Sequence, residues 1–330
     1  MMRLPRIALR TLGCVCFLLV FAAVVQPAGA QNYPTKPIRM IVPFAPGGGA
    51  DFIGRPIGQK LTESFGQPIV MDNRGGANGV IGCEAAARAT PDGYTLLLGS
   101  AGPVTINPAL NPKLPYDPAR DFVPIALLAD VPFSLIVHPA VPAKSVRELI
   151  SFARSNPGKL TYGSSGTGGA PHLAGELFRD MAKVDVMHVP YRGIGPALTE
   201  LLGGRIDLLF VSINVVQQHV RAGRLNALAT TGDKRAANMP DLVSMAESGL
   251  PGFKAGTWYG VLAPTGTPRA IVQQLNAEIN RILALPEIKA RLATQGIEPA
   301  GYTTAQFAEF MKTEQQKWKA LVNAAGIKLQ

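Results

Sequence analysis

The sequence predicts an α/β protein of two lobes, each an open, mostly parallel sheet flanked by helices, with extended segments joining the lobes. Short apolar runs alternate with amphipathic helical stretches along most of the chain, a pattern typical of parallel sheets. The alternation stops and later restarts, so two such units follow one another. The length of 330 residues also suits two lobes of ordinary size better than a single core.

The first unit has a β-α-β-α-β pattern. In its first helix the apolar residues from Ile53 to Phe65 recur every four positions, which places them on one face. Pro56 is expected to kink this helix or to fix its first turns, and Gly66 is a suitable helix end. The predicted elements are strands at Ile38–Phe44, Ile69–Met71 and Tyr94–Leu98, and helices at Ala50–Phe65 and Ile81–Ala89.

The second unit repeats this alternation. Its first helix carries Leu173, Leu177 and Met181 on one face. The other predicted helices are Pro196–Leu202 and Val215–Ala222, and the predicted strands are Lys159–Tyr162, Val184–Val189, Ile206–Val211 and Leu225–Thr230.

The segments outside the two units predict how the lobes are joined. Apolar runs at Phe122–Leu128 and Phe133–Val137 lead from the first unit to the second, and an extended run at Thr257–Ala263 leads back. Two C-terminal helices follow, at Pro268–Leu283 and Thr304–Ala325. We therefore expect hinges near 132–137 and 257–263. The expected boundaries are 31–131 for lobe 1, 132–253 for lobe 2, and 254–330 for the return hinge and the rest of lobe 1.

The first 30 residues have the features of a secretory signal peptide. Three arginines precede an apolar run of 15 residues, Thr11–Val25, which is short for a membrane span. Ala28-Gly29-Ala30 follows as a small-residue cleavage site. We expect cleavage after Ala30 and a periplasmic mature protein, with an uncleaved anchor as the alternative.

Composition excludes several classes of protein. The chain is 47% hydrophobic and 16% charged, unlike a disordered chain. Cys83 is the single cysteine after the leader, so it is expected to be buried and inert. His138, His188 and His219 match no ligand spacing and are interpreted as structural, so no metal or cofactor is expected. The net charge of +10 suits small anions or is solvated surface charge; the basic residues form no dense run, which argues against nucleic acid.

Two glycine-rich loops carry the candidate chemistry. One runs from Phe44 to Asp51 and the other from Tyr162 to Ala170, each between a predicted strand and a predicted helix. Glycines let backbone N–H groups converge, and the helix N-terminus adds partial positive charge. Such loops suit a carboxylate or phosphate, although a glycine-rich turn also occurs without any ligand.

A serine hydrolase, which would use a nucleophilic serine, is the enzymatic alternative. Gly163-Ser164-Ser165-Gly166-Thr167 departs from the G-x-S-x-G motif at its last residue, and His172 is too close in sequence to be the usual triad partner of Ser165. Nucleotide-binding motifs also fail, because no P-loop lysine is present and Pro171 replaces the third dinucleotide glycine.

Two further positions allow two interpretations each. Asp207 precedes an apolar strand, where it either holds a water or amide in the cleft or is simply solvated. Trp258 and Tyr259 lie on the return segment and either wall a cleft or pack in a core.

The motifs together resemble the Bug, or TctC-like, family of extracytoplasmic receptors for tripartite tricarboxylate transporters. The resemblance covers nearly the whole mature chain from Tyr33. It rests on Pro43–Asp51, Asp72–Gly79, Tyr162–Gly169 with His172-Leu173, and Val189–Gly193. Pro56 and Met71-Asp72 depart from the usual pattern, but neither lies in the glycine loops.

The resemblance implies a two-lobed, type II periplasmic-binding-protein fold and a receptor that makes and breaks no bond. The implied ligand is a small carboxylate: a di- or tricarboxylate, an acidic amino acid or an aromatic carboxylate. A membrane permease is the implied partner and a monomer the expected state, while an orphan sensor is a second possibility. The expected ligand-binding residues are Phe44, Ala45, Pro46, Gly47, Gly48, Gly49, Asp51, Ser100, Ser164, Ser165, Gly166, Thr167 and Gly168, with Asp207 nearby.

Overall fold

The computed structural model describes residues 33–325, except 192, 233, 236–238 and 295. The expected signal peptide therefore lies outside the described residues. Two five-stranded sheets are present, and both belong to the unit of the chain that begins at Lys36. No helix in the described ranges combines the length and the apolar character needed to cross a membrane.

Sheet 1 has the strand order β2-β1-β3-β10-β4. Apolar runs that were predicted as strands form its interior, and the β1 residues Ile38, Ile41 and Val42 are fully buried. Its strands are β1 (Ile38–Val42), β2 (Ile69–Asn73), β3 (Thr95–Ser100), β4 (Phe122–Pro132) and β10 (Gly256–Pro264).

Sheet 2 has the corresponding order β7-β6-β8-β5-β9. Its central strands are buried as predicted from their apolar sequences, with every residue of β5 and β8 buried. The strands are β5 (Ser134–Val137), β6 (Leu160–Ser164), β7 (Val186–Pro190), β8 (Leu208–Val211) and β9 (Asn226–Thr230).

One strand in each sheet runs against the others. β10 is antiparallel to β3 and β4, and β5 is antiparallel to β8 and β9, while the pairs around β1 and β6 are parallel. Thr257–Ala263, which the sequence led us to treat as a hinge, is thus an inner strand of sheet 1. Ser134–Val137, most of the other expected hinge, is likewise an inner strand, β5 of sheet 2. Both segments that were expected to be extended connections are therefore paired strands for most of their length.

The chain passes from sheet 1 to sheet 2 through Phe133, between β4 and β5, and returns to sheet 1 at Ala255, which precedes β10. The Phe133 amide donates to Thr231 Oγ1 (2.8 Å) and to the Ala255 carbonyl (3.3 Å). The Thr231 amide in turn donates to the Phe133 carbonyl (2.8 Å). Thr231 therefore ties together the outgoing and returning segments, a role that the sequence analysis did not assign.

Helices cover the sheets. α1 runs without interruption through Pro56, and the last helix packs against β4. The helices are α1 (Gly49–Phe65), α2 (Val80–Ala87), α3 (Asn107–Leu110), α4 (Pro118–Asp121), α5 (Val146–Ser155), α6 (Ala170–Ala182), α7 (Ile194–Leu202), α8 (Ile213–Arg221), α9 (Arg269–Leu283), α10 (Pro286–Ala293) and α11 (Thr304–Ala325), with a 3₁₀ turn at Ala77–Gly79 and a π turn at Gly102–Ile106.

Cys83 lies on α2 and is fully buried, as predicted. Burial raises the pKa of its thiol to about 12, so it stays protonated and unreactive near neutral pH.

Candidate functional site

A cavity of about 780 Å³ lies where the two sheets face each other. Its walls come from segments that follow the carboxyl ends of β1, β3, β6 and β8, the usual position of ligands in open α/β sheets. The lining residues are Phe44–Ala50, Phe52, Ile53, Asn78, Ser100, Gly102, Val131, Phe133, Ser165, Gly169–Pro171, Gly193, Ile194, Val211, Ser212, Asn214, Val215, Thr257, Tyr259 and Ile297.

The first glycine-rich loop lines this cavity from Phe44 to Gly49. Gly47 has φ = +87°, a conformation that favours glycine, and its amide donates to the Asp51 carboxylate (2.5 Å). Asn73 donates to the same carboxylate (3.3 Å) and to the Phe44 carbonyl (3.1 Å). Arg55 pairs with Asp51 at 3.2 Å. The carboxylate of Asp51, expected to bind ligand, is thus engaged beneath the loop and fixes the loop's shape.

Ser100 and Tyr259 meet across the register of β3 and β10, and both line the cavity. Burial raises the pKa of Tyr259 to about 12, so its hydroxyl keeps its proton and is available as a donor. Neighbouring Trp258 is fully buried in the core, because successive side chains on a strand point to opposite faces. Of the two interpretations that the sequence allowed, the cleft wall therefore applies to Tyr259 and core packing to Trp258.

The second loop contributes Ser165, Gly169 and Ala170 to the cavity lining, and Pro171 of α6 follows them there. Ser164 is fully buried: its Oγ lies 2.7 Å from His188 Nε2 and accepts the Gly166 amide (3.1 Å). The predicted residues Gly166, Thr167 and Gly168 belong to the loop but are not among the lining residues. Of the predicted serines, only Ser100 and Ser165 reach the cavity.

A polar cluster supports the second loop from below. The Gly168 amide donates to His172 Nδ1 (3.1 Å), and the ring of His172 stacks on that of His188, with centroids 4.0 Å apart. Burial, more than any neighbouring charge, lowers the pKa of both imidazoles, that of His188 to about 4. Both rings are therefore neutral near pH 7. The hydrogen bond between His188 and Ser164 agrees with the interpretation of His188 as a structural histidine.

Glu176 completes this cluster. Its carboxylate accepts the Tyr162 hydroxyl (2.5 Å) and the Arg179 guanidinium (2.9 Å). Because the Ser164–His188 pair is buried below the loop, it does not present a nucleophile to the cavity, and His172 is occupied by Gly168 rather than by Ser165.

Asp207 lies at the other end of β8 from the cavity. It precedes the strand, and its carboxylate accepts the amide (2.8 Å) and the hydroxyl (2.9 Å) of Thr161, near the start of β6. The expectation that Asp207 lies near the ligand is therefore not met by the structure, because the cavity is at the carboxyl ends of these strands and Asp207 is at their amino ends.

Much of the cavity wall is apolar, which the sequence analysis did not foresee. Aromatic and aliphatic side chains come from both sheets, from α1 and from the first turns of α7 and α8. No Asp, Glu, Lys, Arg or His belongs to the lining found in the described part of the chain. The apolar members are Phe44, Phe52, Ile53, Val131, Phe133, Ile194, Val211, Val215 and Ile297. Within the same residues, no group of three or more His, Cys, Asp or Glu side chains is placed to hold a metal ion.

Two sheets of matching strand order, with glycine-rich loops facing one cavity, define a two-lobed solute-binding protein. Residues 53–327 match the family model described as "Tripartite tricarboxylate transporter family receptor", and the chain belongs to this family. Family members are periplasmic receptors and not enzymes. The predicted family and fold class are thereby confirmed.

Relatives that cover nearly the whole chain support the same assignment. Protein BugT of Bordetella pertussis is 37% identical over 321 residues, which cover 97% of this chain and 98% of BugT. A Rhodopseudomonas palustris protein solved with adipate is 36% identical with a TM-score of 0.82, covering 90% of this chain and 99% of that one. MatC of the same organism, solved with bound malate, is 34% identical with a TM-score of 0.77, covering 88% and 100% of the two chains.

Proposed function

We propose that this chain is a periplasmic receptor that captures a small carboxylate between its two sheets and delivers it to a membrane permease. The observation that carries the proposal is the pair of glycine-rich loops that line one cavity of about 780 Å³. The N-terminal ends of α1 and α6, which follow the two loops, provide partial positive charge for an anion without a charged side chain. The Tyr259 hydroxyl and Ser100 supply further hydrogen-bonding groups at the same cavity.

The lining further favours a carboxylate whose body is apolar. The apolar wall includes Phe44, Phe133 and Val215. Methylene or aromatic groups of a ligand that pack against this wall stabilise the complex by about 25 cal/mol per Å² of apolar surface buried. Citrate would place additional carboxylates against these walls, where charged groups are costly to desolvate without partners. The adipate found in a relative has four methylene groups between its two carboxylates, which suits such a wall.

Binding as a monomer and closure around the ligand are parts of the same proposal. The crossings at Phe133 and Ala255 are the places where one sheet can rotate against the other. We propose 31–131 and 254–330 as the lobe containing sheet 1, and 132–253 as the lobe containing sheet 2.

We propose that the N-terminal 30 residues direct export of the protein to the periplasm. Three arginines, an apolar run and Ala28-Gly29-Ala30 support cleavage after Ala30. Mass spectrometry of the periplasmic protein should then find Gln31 as the first residue. A full-length chain retained in the membrane would contradict this.

The binding proposal is tested by titrating the purified mature protein with adipate, benzoate, malate and citrate in a calorimeter. We expect adipate or benzoate to bind at least about tenfold more tightly than citrate, a difference of about 1.4 kcal/mol. Citrate as the tightest ligand would overturn the apolar-body proposal, and absence of binding by all four would overturn the carboxylate site. Uptake of the bound ligand by cells that carry the permease separates a transport receptor from a sensor.

A further inference from the structure

We propose that His172 is a positioning residue for the ligand: its Nδ1 holds the Gly168 amide inside the second loop, and protonation of the ring releases that amide and weakens carboxylate binding. The inference rests on the proposed function, because the loop is taken to bind the anion. His172 itself does not line the cavity and is 5% exposed.

The loop is anchored from below at two alternate amides. Ser164 Oγ accepts the amide of Gly166 (3.1 Å), and His172 Nδ1 accepts the amide of Gly168 (3.1 Å). Both glycines have positive φ, +126° and +79°, so the backbone reverses sharply at each anchor. The cavity-lining residues Ser165 and Gly169 flank these two anchored positions, and their placement therefore depends on the anchors.

The proton of the neutral imidazole must then reside on Nε2, since a protonated Nδ1 cannot accept. Nε2 lies 3.9 Å from a carboxylate oxygen of Glu176. A second proton would occupy Nδ1, and the buried Gly168 amide would lose its acceptor. A buried amide without a partner is unfavourable, so the loop must rearrange.

The groups that face His172 determine when this happens. The stacked His188 comes from β7, Tyr162 from β6, and Glu176 and Arg179 from α6 itself. Burial and the Arg179 charge lower the pKa of His172, whereas Glu176 raises it, and burial is the largest effect. Protonation of His172 therefore requires a pH below the ordinary titration range of histidine, so acidification of the medium is the relevant change.

The test compares two substitutions of His172 in calorimetric titrations with adipate. His172→Asn keeps an acceptor oxygen near the Nδ1 position but does not titrate, whereas His172→Leu removes the acceptor. At about pH 7.5 we expect the Asn variant to bind within about threefold of the parent and the Leu variant about tenfold more weakly. Between about pH 7.5 and pH 4.5 the affinity of the Asn variant should fall less than that of the parent.

His138→Asn is the matched control, because His138 Nδ1 also accepts a backbone amide, that of Ala140 (3.2 Å), at a place outside the cavity lining. We expect this variant to match the parent at every pH. Equal affinity of the parent and the His172→Leu variant, or an unchanged pH profile in His172→Asn, would overturn the proposal.

A readout without ligand separates this inference from the proposed function. Nitrogen-15 NMR spectra of the ligand-free protein at about pH 7.5 should show His172 with an unprotonated Nδ1 and a protonated Nε2. The Gly168 amide should exchange with solvent at least about tenfold faster in His172→Leu than in His172→Asn. The opposite tautomer, or equal exchange rates in the two variants, would overturn the hydrogen bond between His172 and Gly168 even if adipate binds. If the spectra show the expected tautomer but adipate does not bind, the hydrogen bond stands and the role of His172 in ligand binding is overturned.

Discussion

The hydroxyl oxygen of Tyr259 lies 2.5 Å from the position that a Cβ atom would take on Gly49. Real Cβ atoms do not approach an oxygen so closely, so a larger residue at this position would have to displace the tyrosine side chain or the loop. The contact joins the start of α1 to β10 at the edge of the cavity. The sequence predicted the glycine-rich turn that contains Gly49, but it did not show whether Tyr259 lies at the cavity or in the core.

Gly49→Ala should therefore weaken ligand binding. The added methyl group must displace either the Tyr259 ring or the loop, and we expect the Kd for adipate to rise about tenfold, or ~1.4 kcal/mol. Gly48→Ala is the matched control, because its Cβ would have no neighbour nearer than 4.0 Å. Calorimetry on both variants checks this, and equal affinities would show that the Gly49–Tyr259 contact does not shape the site.

Asp51→Ala should loosen the first loop. The substitution leaves the Gly47 amide without its acceptor and removes one of the partners of Arg55, and a lost buried acceptor costs about 1–3 kcal/mol. We expect a lower melting temperature and an adipate Kd raised about 10–100-fold. Asp180→Ala, which removes an exposed pair with Lys183, should change neither quantity measurably. Binding by Asp51→Ala at parental affinity would contradict the support role.

Val215→Glu should abolish carboxylate binding without unfolding the protein. Val215 is 40% exposed and lines the cavity, so a glutamate is tolerated there but repels an anion. We expect no detectable heat with adipate, and an unchanged far-UV spectrum. Val70→Glu, 51% exposed on β2 and outside the lining, is the control and should bind normally. Normal binding by Val215→Glu would place the ligand elsewhere.

Acid should destabilise the protein partly through His188. Its folded-state pKa of about 4 is below the ordinary 6.5, so the unfolded chain takes up the proton first. The contribution of the neutral ring to stability is therefore complete above about pH 6.5 and is lost as the pH falls towards 4. Urea unfolding at several pH values should show a shallower decline for His188→Gln than for the parent. Parallel curves would rule out this contribution.

The sequence was sufficient for the parts of the site that depend on local backbone. Glycine and proline after an apolar run predicted the first loop, and six of its predicted residues, Phe44–Gly49, line the cavity. Side-chain directions were not predictable in the same way. Ser164 and Ser165 are adjacent and chemically identical, and the buried position of Ser164 depends on His188, 24 residues away.

Sequence patterns also did not predict which strands pair over long distances along the chain. Thr257–Ala263 has the extended, apolar character of either a connection or a strand. Its position between β3 and β4 depends on segments more than 100 residues earlier. Asp207 was misplaced for a related reason, because the sequence did not show which end of β8 faces the cavity.

The position of β10 also determines how the chain can be assembled. β3 and β4 are not neighbours in sheet 1; the strand between them arrives only with residues 256–264. Every strand of sheet 2, by contrast, lies between residues 134 and 230. During translocation of the chain from its amino end, sheet 2 can therefore be complete while sheet 1 is still divided in two, and a chain cut before Gly256 would retain the strands of only one finished sheet.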